Sequence, residues 1–329
     1  MKLGVFKTAI KFTEISFLEG DFDAEIAEYQ KYSERKTGFE AIDDVQIFMP
    51  GLYVLGGLPG AGKSTFALQL LYQLAEQGAQ CFYFSFEMSE IMLWAKVLAR
   101  ELFKRHFKRD PENAPKTAMT AANLMRGRGV GKKEIYDLKR ELASSNLPLK
   151  IAQVNLSTKK LIKELKELPT PEGAVVVLDY LQMMSFDKEN PRGALDEAIF
   201  SFREYQRETK STLIILNSFN RESYKGQATM ASYKESGGIE YTADVCWVLQ
   251  TFGIGADGKF DNDLASEESR HPLRRVQLRC LKNRFGGQYA CDFWYYAAHD
   301  CFRSNVGDPF EEQEKPSADK SKRKNKFEK

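Results

Sequence analysis

Short apolar runs alternate with amphipathic segments through the middle of the chain. LYVLGG (52–57), QCFYFSF (80–86), PLKIA (148–152), AVVVLD (174–179), STLIILN (211–217) and DVCWVLQTF (244–252) are rich in β-branched and aromatic residues. Several are apolar at successive positions, the mark of strands buried on both faces in a mostly parallel sheet. Between them, Phe66, Ala67, Leu70, Leu71 and Leu74 share one face of a helix that Gly78 would stop. A second helix is expected after Ser89 and another from Ser157, both good N-caps. The alternation predicts one large α/β domain, a mostly parallel sheet flanked by helices. After residue 252 the pattern changes to the Gly/Asp-rich GIGADGKFDND, then RRVQLRCLKNR, the turn FGGQ and YACDFWYY. That order predicts a C-terminal antiparallel hairpin. No repeat of 20–50 residues is visible.

The two ends read differently. In residues 1–36, EIAEYQKYSERK predicts a short polar helix with too few apolar positions for its own core, an arm that needs something to pack on. Residues 311–329 are polar, charged and aperiodic, the composition of a disordered tail. The main domain is therefore expected over 37–310.

Composition narrows the class. With 43% hydrophobic and 29% charged residues among 329, and no apolar run near the ~18 a membrane span needs, the chain reads as globular with no membrane partner. The start, MKLGVFKTAIKF, puts Lys7 and Lys11 where a signal peptide would be apolar, so the cytoplasm is the expected location. Cys81, Cys246, Cys280, Cys291 and Cys301 are scattered, odd in number and without a CxxC pair, which predicts reduced packing residues. The net charge of +2 neither demands nor excludes nucleic acid. Locally, however, Arg100–Arg140 holds twelve Lys/Arg against five Asp/Glu, including KRHFKRD and RGRGVGKK. Such a stretch reads either as a solvated helical surface or as a contact for nucleic acid.

The sharpest chemistry lies at Gly57-Leu58-Pro59-Gly60-Ala61-Gly62-Lys63-Ser64, followed by Thr65. The string fits GxxxxGK[ST], follows a predicted strand and opens a predicted helix, the context a phosphate-binding loop requires. Its glycines let backbone N–H groups curl around phosphates at the positive end of the helix. Lys63 would neutralise β/γ oxygens and Ser64 would ligate Mg²⁺. Asp179 ends an apolar strand, where a carboxylate would hold the same Mg²⁺ through water. Glu87 closes the strand CFYFSF and is the candidate to orient and deprotonate a water.

Taken in order, TGFEAID, GLYVLGGLPGAGKSTFALQL, FYFSFEMS, VVVLDYLQMM, SFNR, YKESGGIEYTAD and LKNRFGG resemble the ATPase domain of DnaB-type replicative helicases, ring-forming relatives of RecA. The likeness covers about residues 37–303. It implies a RecA-like P-loop NTPase fold, ATP and Mg²⁺ as cofactors, and a homohexameric ring moving on single-stranded DNA in replication. A mobile-element or accessory version of such a helicase is included, with a loader or primase as further partners. By resemblance, Gly57, Pro59, Gly60, Ala61, Gly62, Lys63, Ser64 and Thr65 hold the nucleotide and Glu87 is the catalytic glutamate. Lys282 and Arg284 would reach the neighbouring subunit's nucleotide, where a trans Arg neutralises transition-state charge. Lys234, Glu235 and Gly237 would belong to a channel loop gripping DNA phosphates. Lys234 stands where relatives more often carry Arg, giving a point charge in place of a fork. Two departures stand out. Asn217-Ser218 replaces the usual Ser-Gln pair, so that either Asn217 or Asn220 stands in for the γ-phosphate-sensing glutamine or the coupling of hydrolysis to DNA movement is weakened, and only about 36 residues precede TGF. Both favour an alternative, a RecA-like regulatory or scaffold ATPase that assembles without unwinding.

Overall fold

The computed structural model describes residues 15–129, 131–168, 172–179, 191–219, 226–233, 237–255 and 257–304. The tail over 311–329, and Asn220, Lys234 and Glu235, lie outside the described residues.

Six strands, β1 (Leu52–Gly57), β2 (Cys81–Ser85), β3 (Leu149–Gln153), β4 (Val175–Asp179), β5 (Thr212–Ser218) and β6 (Val245–Thr251), pair in parallel. These are the six strands that hydrophobicity predicts, each within one residue. Three more, β7 (Leu273–Asn283), β8 (Tyr289–Tyr296) and β9 (Cys301–Ser304), add an antiparallel extension beyond β6. Together they make one nine-stranded sheet in the order β3-β2-β4-β5-β1-β6-β7-β8-β9. The strands β7 and β8 form the expected hairpin. β9 has no sequence signature; four residues, CFRS, become a strand because β8 offers them an edge.

At the N-terminal end, α1 (Phe22–Ser33) is largely exposed, with Tyr32 buried against Gly173, and the short α2 (Glu40–Asp43) buries Ile42. Because successive strand residues point to opposite faces, each strand feeds two cores. Tyr53, Leu55, Tyr83, Val175, Val177, Ile214 and Trp247 pack against α3 (Lys63–Glu76), through Phe66, Leu70 and Leu74.

The basic stretch forms a helical module. α4 (Glu90–Arg109) begins after Ser89 and continues into α5 (Ala114–Thr117), α6 (Ala121–Met125) and α7 (Lys133–Ser144). Leu102, Ile135 and Leu138 give it a small core of its own. On the opposite face of the sheet, Val54, Phe82, Val176, Leu178, Leu213, Ile215 and Val248 meet α8 (Thr158–Lys166) and α9 (Pro191–Thr209), through Leu161, Ile199 and Phe202. Burial of a side chain such as Phe66 or Phe202, each fully enclosed, stabilises by about 1.5–3 kcal/mol. Two short helices, α10 (Gly237–Thr242) and α11 (Asn262–Glu268), flank β6 in the chain.

All five cysteines are free and buried, and burial pushes each thiol up to about 12. Among the described residues, no helix is long and apolar enough to cross a membrane.

Candidate functional site

The carboxyl ends of β1, β2, β4 and β5 meet at one edge of the sheet, the usual place for a ligand crevice in an open α/β fold. β1 runs out there into Leu58–Gly62, and the chain returns as α3, so the loop sits on a helix N-terminus. Two of its glycines are sterically required. A Cβ on Gly57 would lie 2.5 Å from the Leu249 carbonyl oxygen, while Gly62 has φ +95° and a Cβ there would lie 2.8 Å from the Phe302 ring. Lys63 Nζ donates to the carbonyls of Gly57 (2.9 Å) and Leu58 (3.0 Å). Burial pulls its ammonium down to about 8, against the opposing pull of Asp179 and Glu87.

Asp179, at the tip of β4, is 3% exposed and accepts a 2.5 Å hydrogen bond from the Tyr83 hydroxyl. Burial raises its pKa, while Tyr83, Ser64 and Lys63 favour the carboxylate. The Phe86 N–H donates to the Asp179 carbonyl at 2.7 Å, tying the end of β2 to the end of β4. Glu87 therefore emerges beside Asp179 as an exposed side chain, two residues past β2 rather than closing it. A cleft of about 390 Å³ gathers Pro59, Gly60, Gly62, Lys63, Ser64 and Thr65 with Glu87, Asp179 and Ser218. Gly57 and buried Ala61 shape the loop from behind. Ser64 and Asp179 offer hard oxygen donors side by side, which fits Mg²⁺.

Some lining residues escape sequence reasoning. Lys96, on α4, reaches the cleft and forms a 2.5 Å ion pair with Asp300, a buried residue at φ 50° between β8 and β9. The same carboxylate accepts from Thr65 at 3.1 Å. Tyr83 and Tyr295 are similarly brought in by packing. Nothing local in EIMLWAK or AAHDC marks these residues.

The expected finger pair lies elsewhere. β6 and β7 place Cys246 opposite Lys282 and Val245 opposite Asn283, while β1 places Tyr53 opposite Val245. Lys282 thus stands level with Val54, and Arg284, whose N–H donates to the Asp244 carbonyl, level with Leu52 at the start of β1, whereas the phosphate loop leaves its end at Gly57. At about 3.3 Å per residue these levels lie about 10 Å and about 17 Å from the loop along the strands. Lys282 Nζ donates to the Glu240 carbonyl (2.5 Å), and Arg284 donates to the Tyr241 carbonyl (2.9 Å) and Asp244 (3.1 Å). Burial, then the Arg284 charge, holds the Lys282 ammonium below its usual range. Both carbonyls belong to α10, which opens at Gly237, so this residue of the expected channel loop is the first of a helix. Of the substituted pair, Ser218 lines the cleft, while the Asn217 amide is fully buried with no hydrogen-bond partner among the described residues.

The family model for the DnaB-like helicase C terminal domain matches residues 35–304. The chain belongs to that family, whose members work with nucleotide and Mg²⁺ in general. No curated protein matches the sequence. Among solved structures, the isolated ATPase domain of a DnaB-like helicase is similar at 16% identity and TM-score 0.71, covering 90% of this chain and 100% of that one. A DnaB-like replicative helicase, described with its interactions with primase, is similar at 16% identity and TM-score 0.69. That match covers 90% of this chain and 68% of the other. The KaiC-like protein PH0186 from Pyrococcus horikoshii OT3 follows at 13% identity and TM-score 0.52, covering 82% and 98%. At these identities the likeness is one of fold.

Proposed function

We propose that the chain is an ATP-hydrolysing, DnaB-like helicase or translocase that acts on single-stranded DNA as a ring of identical subunits, with replication as its setting. The observation that carries this reading is the division of the chemical groups between two ends of the sheet. Lys63, Ser64, Asp179 and Glu87 share one cleft, while Lys282, turned to the Glu240 carbonyl, and Arg284, about 17 Å away along the strands, lie outside it. A second subunit, presenting its far end to the first one's cleft, completes the set.

In this mechanism the loop N–H groups and Lys63 bind the phosphates, and Ser64 and Asp179 would hold a Mg²⁺ that would supply further neutralisation of phosphate charge. Glu87, open to solvent beside the phosphates, orients the attacking water and takes its proton. Arg284 from the neighbour stabilises the charge of the transition state, an effect worth ~10³–10⁵ in related NTPases. Lys234, Glu235 and Gly237 would carry the DNA contact. A primase or loader is a proposed partner, by analogy with the neighbour described with primase. The cytoplasm is the proposed location, and a mobile element is one proposed setting.

The test is a mixing experiment on ATP turnover. Lys63→Ala and Arg284→Ala subunits, each inactive alone, should recover part of the activity together, because mixed interfaces pair an intact loop with an intact finger. Mixtures that co-assemble yet stay inactive at every ratio count against the trans assignment. Ser218, too short to reproduce a glutamine's reach, favours a second reading, a regulatory ATPase that assembles without unwinding. A strand-displacement assay separates the two.

A further inference from the structure

Asp244 precedes β6 and is 3% exposed. Its carboxylate is engaged on both oxygens. Oδ2 accepts the Leu52 N–H at 2.9 Å and an ion pair from Arg203 of α9, while Oδ1 accepts Arg284 Nη1 at 3.1 Å. The Arg284 backbone is held too, its N–H donating to the Asp244 carbonyl at 2.9 Å. A buried carboxylate anchored by a strand N–H and a guanidinium on one side is a fixed point, and its other oxygen presents Arg284 from that point.

The remaining geometry concerns what Arg284 has left to offer. A guanidinium carries five N–H donors in a planar fork. Here one on Nη1 is spent on Asp244 and one on Nη2 on the Tyr241 carbonyl, so three, including Nε–H, stay available among the described contacts. The side chain is 44% exposed although it begins beside a buried acid. It is therefore locked at its inner edge and open at its outer edge, which suits a cation that must meet a ligand on another subunit with little loss of rotamer freedom.

We infer that Asp244 is a positioning residue for the trans-acting cation, holding Arg284 between its own Oδ1 and the last turn of α10 so that the free N–H groups face the neighbouring subunit's nucleotide phosphates. The inference rests on the trans reading proposed above. It adds that the finger is set by an acid in its own subunit and that its anchor is shared with α10, the helix that the expected channel-loop residue Gly237 opens. A cation displaced by about 1 Å loses on the order of 10²-fold in rate without losing substrate affinity, since it acts on the transition state.

The experiment uses the full chain and the same mixing logic. Asp244→Asn should lower kcat for ATP by about 10–100-fold while KM stays within about twofold. Mixed with Lys63→Ala it should recover activity, as Arg284→Ala does; mixed with Arg284→Ala it should not, because every interface then carries a damaged finger. Arg203→Gln, which removes one anchor of Asp244 but leaves the Leu52 N–H bond and the Arg284 contact in place, should lose clearly less turnover than Asp244→Asn. If Asp244→Asn alone strands Arg203 and fails to fold, the double variant Asp244→Asn/Arg203→Gln removes that charge and enters the same mixtures. Failure of Asp244→Asn, or of the double variant, to recover with Lys63→Ala while Arg284→Ala does recover overturns the inference and leaves the trans reading standing. Equal losses in Arg203→Gln and Asp244→Asn also overturn it, by making the cluster merely structural. If Arg284→Ala itself never recovers with Lys63→Ala, the trans reading falls, and this inference with it.

Discussion

At the scale of single residues, Lys63 is the most informative group. Burial holds it near 8, whereas a triphosphate beside it favours the charged form and raises its pKa. Binding must then take up protons wherever the free protein has lost them. Well below pH 8 the ammonium is already charged, so affinity is flat; as pH rises through 8, each binding event draws a proton and affinity falls. Calorimetry in two buffers of different ionisation enthalpy should give about half a proton taken up at about pH 8 and almost none at about pH 6.5. The same uptake in Lys63→Arg, whose guanidinium stays charged throughout, would assign the proton to another group. Glu87 should separate from Lys63 in kind. Glu87→Gln is expected to bind nucleotide with near-normal affinity yet lose turnover by about 10²–10⁴-fold, and Lys63→Ala to lose binding first. Turnover close to wild type in the Glu87 variant would place the base elsewhere.

At the scale of elements, what the sequence reveals follows from how local each cause is. Five of the six parallel strands were legible because burial on both faces demands apolar residues at nearly every position, as in VVVLD and TLIILN, while β3, at the sheet edge with Lys150 and Gln153 exposed, was legible only from its apolar Leu149, Ile151 and Ala152. The phosphate loop was legible because its glycines answer to one carbonyl and one ring, constraints that no other residue meets. The Lys96–Asp300 pair was not, since its members come from α4 and a turn after β8, 204 residues apart in sequence. β9 was hidden for the same reason, its pairing being set by β8 rather than by its own four residues. Within the basic stretch, charge masked the apolar spacing of Leu102, Ile135 and Leu138, which builds a satellite core away from the cleft. Leu138→Ala should therefore cost about 2–5 kcal/mol of local stability, read as faster hydrogen exchange in α4–α7. Nucleotide affinity is expected to stay unchanged. Loss of ATP binding in that variant would show that the module supports the phosphate site after all.

At the scale of the whole molecule, the proposed DNA contact has two candidate surfaces. The YKESGG loop offers one cation, Lys234, and close backbone approach, but no base-specific group. Binding through it should be dominated by phosphate, weaken steeply with salt at a log–log slope near about −0.7 per neutralised phosphate, and vary little with base sequence. In a ring engaging several subunits, Lys234→Ala should flatten that slope by several units, or by about one if a single subunit engages. ATP turnover without DNA should persist, because Gly237 and the helix it opens lie at the finger end of the sheet, away from the phosphate loop. The competing surface is the turn between α6 and α7. There Arg126, Arg128, Lys132 and Lys133 are exposed and make no ion pair among the described residues. Three acids of the module are already engaged, Glu101 by Arg100 and Lys104, Glu141 by Arg105, and Glu134 by His106, and the exposed Asp137 is the acid left one turn from Lys133. Replacing these four cations with Ser should leave the salt slope alone if the channel loop carries the contact. An unchanged slope in a correctly assembled Lys234→Ala protein, together with a slope lost in the fourfold variant, would move the DNA from the channel to this outer turn.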